Sequence, residues 1–193
     1  MLDDNEKPWV VYFSATNGIG RDSHCDVHLK AIMALDQVYD YLKERITLKV
    51  KLHPYENMFY YDKYFKNKNN VEFISDEDSL KVLKQMSYKN GIYLGIYSTT
   101  ILEAMLFRIP VIQLSMSKYK LMDKSEDYSL SGCGFTAYSP NELIFYIEKI
   151  LDYNYDYELM CMNQMKKTGQ LLGGCIKKQC YDPDILRDKY VQC

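Results

Sequence analysis

Apolar residues in this chain fall into short continuous runs, separated by longer segments in which they recur every three or four positions. That is the pattern of buried strands alternating with amphipathic helices. The first run, Lys7 to Thr16, carries Trp-Val-Val-Tyr-Phe and ends in Asn17-Gly18-Ile19-Gly20, a strand running into a loop. From Ser23 to Glu44 the apolar positions Val27, Ala31, Ile32, Leu35, Val38, Tyr39 and Leu42 make one helical stripe. Ile46 to Leu52 reads as a second strand, stopped at His53-Pro54 because proline has no N–H to give to a ladder. A Tyr-rich helix over Glu56 to Phe65, a strand at Val71 to Ile74, a helix capped by Asp78 or Ser79 and running through Met86, and a strand at Gly91 to Tyr97 follow. The alternation continues with a helix at Thr100 to Phe107, a strand at Pro110 to Leu114 and a short strand near Gly134 to Tyr138. Ser139-Pro140-Asn141-Glu142 is a capping box with proline at the first helical position. It opens a helix through Leu151 striped by Leu143, Ile144, Ile147 and Ile150, and a last helix spans Tyr157 to Leu172.

Strands of this kind, alternating with helices, predict an α/β fold: a doubly wound, Rossmann-like domain with a mainly parallel sheet of about six strands and helices on both faces. The domain is expected over residues 7–152, with 153–193 a C-terminal helix and tail packing on it or extending it. Hydrophobic content of 47% in 193 residues is enough for one full core. A net charge of −2, with no long basic run, removes the electrostatic attraction on which nucleic-acid binding depends, so no nucleic-acid partner is expected. The apolar runs are strand-length, well short of the roughly 20 residues that cross a bilayer, and the start of the chain is polar, so a soluble, cytoplasmic protein is expected. Six cysteines without a C-x-x-C pair suggest neither a zinc knuckle nor a disulfide frame, and reduced thiols are the expectation.

In doubly wound sheets ligands bind beyond the carboxyl ends of the strands, where the strand order reverses. The loops after strands one, two and four carry Ser14, Asn17 and Gly18, then His53 and Pro54, then Ser98, Thr99, Thr100 and Glu103. A strand-to-helix turn with three hydroxyls and free backbone N–H groups suits a phosphate, and His53 could add a charged donor. Glu103, one turn on, is placed to accept hydrogen bonds from a ribose. Thr100-x-x-Glu103 is equally a capping box, and His53 equally a turn histidine bonded to a backbone carbonyl. Gly18-x-Gly20 lacks the third glycine of a dinucleotide fingerprint, so NAD is not expected. His24 and His28 stand at a zinc spacing without a third ligand, and no metal site is expected.

Lys-Leu-His-Pro at 51–54, Ser-Thr-Thr-x-x-Glu-Ala from Ser98 and Ile-Pro-Val-Ile at 109–112 resemble the carboxy-terminal, donor-binding half of two-Rossmann (B-type) glycosyltransferases. The likeness is to the bacterial capsule and polysaccharide, sialyltransferase-like and CDP-glycerol-type branches, and more distantly to the non-hydrolysing UDP-GlcNAc 2-epimerases. The epimerases usually place two glycines where Thr99 and Thr100 stand. The resemblance implies that His53 contacts phosphate or reaction centre as a catalytic group. It implies that Ser98, Thr99 and Thr100 hold phosphate and that Glu103 holds ribose, with Ser14, Asn17, Gly18 and Pro54 completing the nucleotide pocket. The implied function is the donor-binding half of a nucleotide-sugar-dependent glycosyltransferase for cell-surface polysaccharide or glycoconjugate synthesis, incomplete and inactive as an isolated domain. The alternatives are a UDP-sugar 2-epimerase-like enzyme and a non-catalytic nucleotide-binding subunit of a two-chain transferase. The implied partners are a nucleotide-activated sugar as substrate and a missing N-terminal acceptor domain or separate partner chain, through which any peripheral membrane association would run. No cofactor and no metal are required.

Overall fold

The structure is a computed structural model and describes residues 7–14, 22–54, 56, 58–96, 98–116 and 128–171. Six strands form one sheet: β1 (Trp9–Phe13), β2 (Thr47–Lys51), β3 (Val71–Ile74), β4 (Ile92–Gly95), β5 (Val111–Leu114) and β6 (Phe135–Ala137). Every neighbouring pair is parallel, and the spatial order is β3-β2-β1-β4-β5-β6. The chain builds outward from β1 on one side, then crosses back to β4 and builds outward on the other. The order therefore reverses between β1 and β4, and this is the doubly wound, Rossmann-like α/β fold.

Burial on both faces explains why the strands are mainly apolar runs, β1 and β4 throughout. On one face Val10, Tyr12, Leu48, Val50, Leu94 and Ile112 pack with α1 (Asp22–Leu42) and α5 (Pro140–Leu151). On the other, Val11, Phe13, Tyr93 and Val111 pack with α3 (Ser79–Tyr88) and α4 (Thr100–Leu106). Each such fully buried side chain contributes about 1.5–3 kcal/mol of transfer free energy.

Local chemistry sets the helix ends. The Asp78 carboxylate accepts from the Leu80 N–H at 2.7 Å, and Ser139 Oγ accepts from the Glu142 N–H at 3.2 Å. Glu142 reaches back to the Tyr138 N–H at 2.7 Å, one residue before the cap itself. α3, α4 and α5 each stop on a residue with positive φ: Asn90 (49°), Arg108 (57°) and Tyr153 (52°). In each case the next N–H returns to a carbonyl five residues back: Gly91 to Met86, Ile109 to Ala104, Asn154 to Lys149. These are Schellman closures built without glycine at the left-handed position.

One expected element starts late. The helix predicted from Glu56 is α2 (Phe59–Phe65). After Pro54 the Glu56 N–H bonds to the His53 carbonyl at 2.9 Å, closing a turn, and the Glu56 side chain folds inward. The last helix, α6 (Tyr157–Leu171), lies against α4. It is held by Gln164, whose amide donates to the Ile109 carbonyl at 3.1 Å and the Cys133 carbonyl at 2.8 Å. No described helix is long and apolar enough to cross a membrane.

Candidate functional site

The register aligns the ends of three strands. Phe13 is level with Lys51 of β2 and with Gly95 of β4, so the chain leaves β1, β2 and β4 at one edge. Ser14, His53 and Ser98 all belong to that edge, at the point where the strand order reverses. The first two loops touch directly: the His53 N–H donates to Ser14 Oγ at 2.8 Å, and the Ser14 N–H donates to the Lys51 carbonyl at 3.0 Å. Pro54 is exposed at the turn that follows. Asn17 and Gly18 lie outside the described residues.

The third loop is held by Ser98. Its Oγ accepts from the Thr100 N–H at 3.2 Å and donates to Thr100 Oγ1 at 3.0 Å. The capping box considered for Thr100 and Glu103 does not form, because Thr99 occupies the cap position with helical backbone angles and makes no side-chain capping bond. Glu103 is therefore not committed to the helix end. Beneath this turn lies Tyr93, fully buried and stacked on Phe13 with ring centroids 4.8 Å apart. Its Oη has no hydrogen-bond partner. The bare Gly95 leaves it room, since a Cβ there would sit 2.6 Å from that oxygen. Burial first, and the nearby Glu103 carboxylate second, push the Tyr93 phenol well above its ordinary pKa, so it remains a proton donor.

Two groups at this edge carry charge that sequence reasoning did not single out. Lys51, 6% exposed, donates from Nζ to the Leu52 carbonyl at 2.9 Å. Burial lowers its pKa, opposed by the charges of Asp78, Asp76 and Glu77. Glu56 is the second. Its carboxylate lies against His28 Nε2 in an ion pair, with its side chain 1% exposed. Tyr61 donates to it at 2.9 Å, and the Tyr12 hydroxyl lies 3.4 Å from His28 Nδ1. His28 is thus a member of a polar network with Glu56, Tyr61 and Tyr12. A signal for this was present, since His28 sits four residues before Ile32 and seven before Leu35 on the inward stripe of α1.

No protein-family model matches the sequence, and no curated protein sequence matches it. Solved structures do match. The UDP-GlcNAc 2-epimerase from Neisseria meningitidis, bound to UDP-GlcNAc, aligns with a TM-score of 0.58 at 15% identity, over 81% of this chain and 39% of its own. The UDP-GlcNAc 2-epimerase from Methanocaldococcus jannaschii, in complex with UDP-GlcNAc and UDP, aligns at 0.56 and 12% identity, over 79% of this chain and 40% of its own. The glycosyltransferase SnogD from Streptomyces nogalater aligns at 0.58 and 12% identity, over 86% and 40%. The chain shares its fold with part of these enzymes. Identities at this level speak for the fold, and the chain spans 39% to 40% of the length of these three structures.

A separate cleft of about 520 Å³ opens at the opposite end of the strands. Pro8, Gly91 and Pro110, the residues leading into β1, β4 and β5, line it, together with Arg108, Tyr155 and Tyr157. The Tyr157 hydroxyl donates to the Arg108 carbonyl at 2.9 Å. This cleft contains none of the residues singled out from the sequence as binding or catalytic.

Proposed function

We propose that this domain binds a nucleotide-activated sugar at the carboxyl edge of β1, β2 and β4, as the donor-binding half of a glycosyltransferase. The observation that carries the reading is the Ser14–His53 contact, with the Ser98 turn following β4 at the same edge and the strand order reversing there, in a fold shared with enzymes solved with UDP or UDP-GlcNAc. In this reading the hydroxyls of Ser98, Thr99 and Thr100 hold the phosphates, Glu103 accepts from the ribose, and His53 faces the leaving phosphate. Lys51 adds a fixed positive charge behind the same edge, where little water screens it. Oriented hydroxyls and a fixed cation stabilise a leaving nucleotide without a bound metal. A base and an acceptor site come from a second domain or chain. Holding one substrate alone forgoes the roughly 7–11 kcal/mol that proximity of the reactants supplies.

Titration of the chain with CMP, CDP, UDP and GDP tests the reading. Saturable binding of one of them is expected, weakened about a hundredfold or more in a Ser98→Ala, Thr100→Ala double variant, each lost charge-assisted hydrogen bond being worth about 1.5–3 kcal/mol. Absence of measurable affinity for all four nucleotides overturns it. A 2-epimerase-like reading draws on the epimerases among the structures of the same fold, and predicts selectivity for UDP over the other three.

A further inference from the structure

Five polar side chains meet beneath the loop that carries His53. They come from several elements: Tyr12 and Ser14 from β1 and its end, His28 from α1, Tyr61 from α2, and Glu56 from the loop itself. Tyr12 and Tyr61 are fully buried, and Ser14 is 9% exposed. One carboxylate oxygen, Glu56 Oε1, takes the Tyr61 proton and the His28 contact. The other, Oε2, is buried and has no partner. Ser14 Oγ accepts from the His53 N–H at 2.8 Å, which leaves its own hydroxyl proton to be given to a neighbour, Glu56 or Tyr61. Ser14 also lies near enough to the Glu56 carboxyl to act on it as a hydrogen-bond donor.

We propose that ionised Glu56 is a positioning residue for the His53 loop: it draws the Ser14 hydroxyl proton toward Oε2, which turns a Ser14 lone pair onto the His53 N–H. The logic is one of polarity. A carboxylate only accepts, so the serine must donate to it and must present its acceptor side to the backbone. A protonated or amide side chain at position 56 can donate as well as accept, and the serine rotor then loses its fixed sense. The rest of the network agrees with an accepting Glu56. Tyr61 donates to it, and His28 faces it with Nε2.

The inference rests on the nucleotide-site reading only for its effect on affinity, and its structural content is read separately. In the intact chain, amide hydrogen exchange at His53 is measured for wild type, Glu56→Gln, Ser14→Ala and the double variant, with UDP affinity and melting temperature followed in parallel. Glu56→Gln is expected to reduce His53 amide protection about tenfold, Ser14→Ala to do the same, and the double variant to lose little more, because both act through one bond. Wild-type protection is expected to fall in acid as Glu56 takes up a proton, and to stay flat with pH in Glu56→Gln. Additive losses, or unchanged His53 protection in Glu56→Gln, overturn the proposal, even if the melting temperature drops. Should Glu56→Gln fail to fold, Ser14→Ala against wild type across pH decides, since acid sensitivity that survives without Ser14 also overturns it. If wild type binds no UDP, the functional reading fails while the exchange data still judge the relay.

Discussion

Glu56 has a side chain 1% exposed and yet stays charged. Burial raises its pKa, but hydrogen bonds from His28, Ser14 and Tyr61, with the His28 charge, more than offset this, and the net direction is downward. A carboxyl depressed in the folded state stabilises the fold at pH above its unfolded value of about 4.3, and that contribution is lost as pH falls through the lower folded value. The acid limb of the unfolding curve, followed by denaturant titration between neutral and acid pH, is therefore expected to be shallower in Glu56→Gln than in wild type. The two residues differ in legibility. His53 and Ser98 could be picked out because a histidine before proline and a hydroxyl turn after an apolar run announce themselves locally. Glu56 could not, since Glu-x-x-Phe-Tyr-Tyr reads as the opening of a helix. Only the inward fold of its side chain onto α1 and α2 gives it another role.

Among the elements, the caps that open α3 and α5 were readable, and the way α3, α4 and α5 close was not. Asp78 and Ser139 cap where a cap is expected, because the capping oxygen and the free N–H groups lie within three residues of each other. The ends of α3, α4 and α5 use Asn90, Arg108 and Tyr153 in the left-handed region, positions at which a reader of the sequence looks for glycine. Tyr153 is 72% exposed, so little packing offsets its backbone strain. Tyr153→Gly is expected to raise stability by about 1 kcal/mol, read as an upward shift of the denaturant midpoint at unchanged slope. The reason α6 settles on α4 was equally hidden. Its own stripe is weakly apolar, and the fully buried Gln164 joins it to two backbone carbonyls that belong to distant parts of the chain.

Across the whole molecule, the alternation of strand and helix was legible because both faces of the sheet are covered and the strands are mainly apolar. The order β3-β2-β1-β4-β5-β6 follows from the long crossover through α3, which no local pattern encodes. That order gives the molecule two ends of different character, with Ser14, His53 and Ser98 at one and the cleft of Pro8, Arg108 and Tyr155 at the other. A five-residue strand such as β1 separates them by about 16 Å. A fragment lodged beside Arg108 and Tyr155 would thus leave the UDP dissociation constant unchanged while raising the melting temperature. Hits from a thermal-shift screen should then sort into two groups, those displaced by UDP and those indifferent to it, and the hollow beside Arg108 would supply the second group.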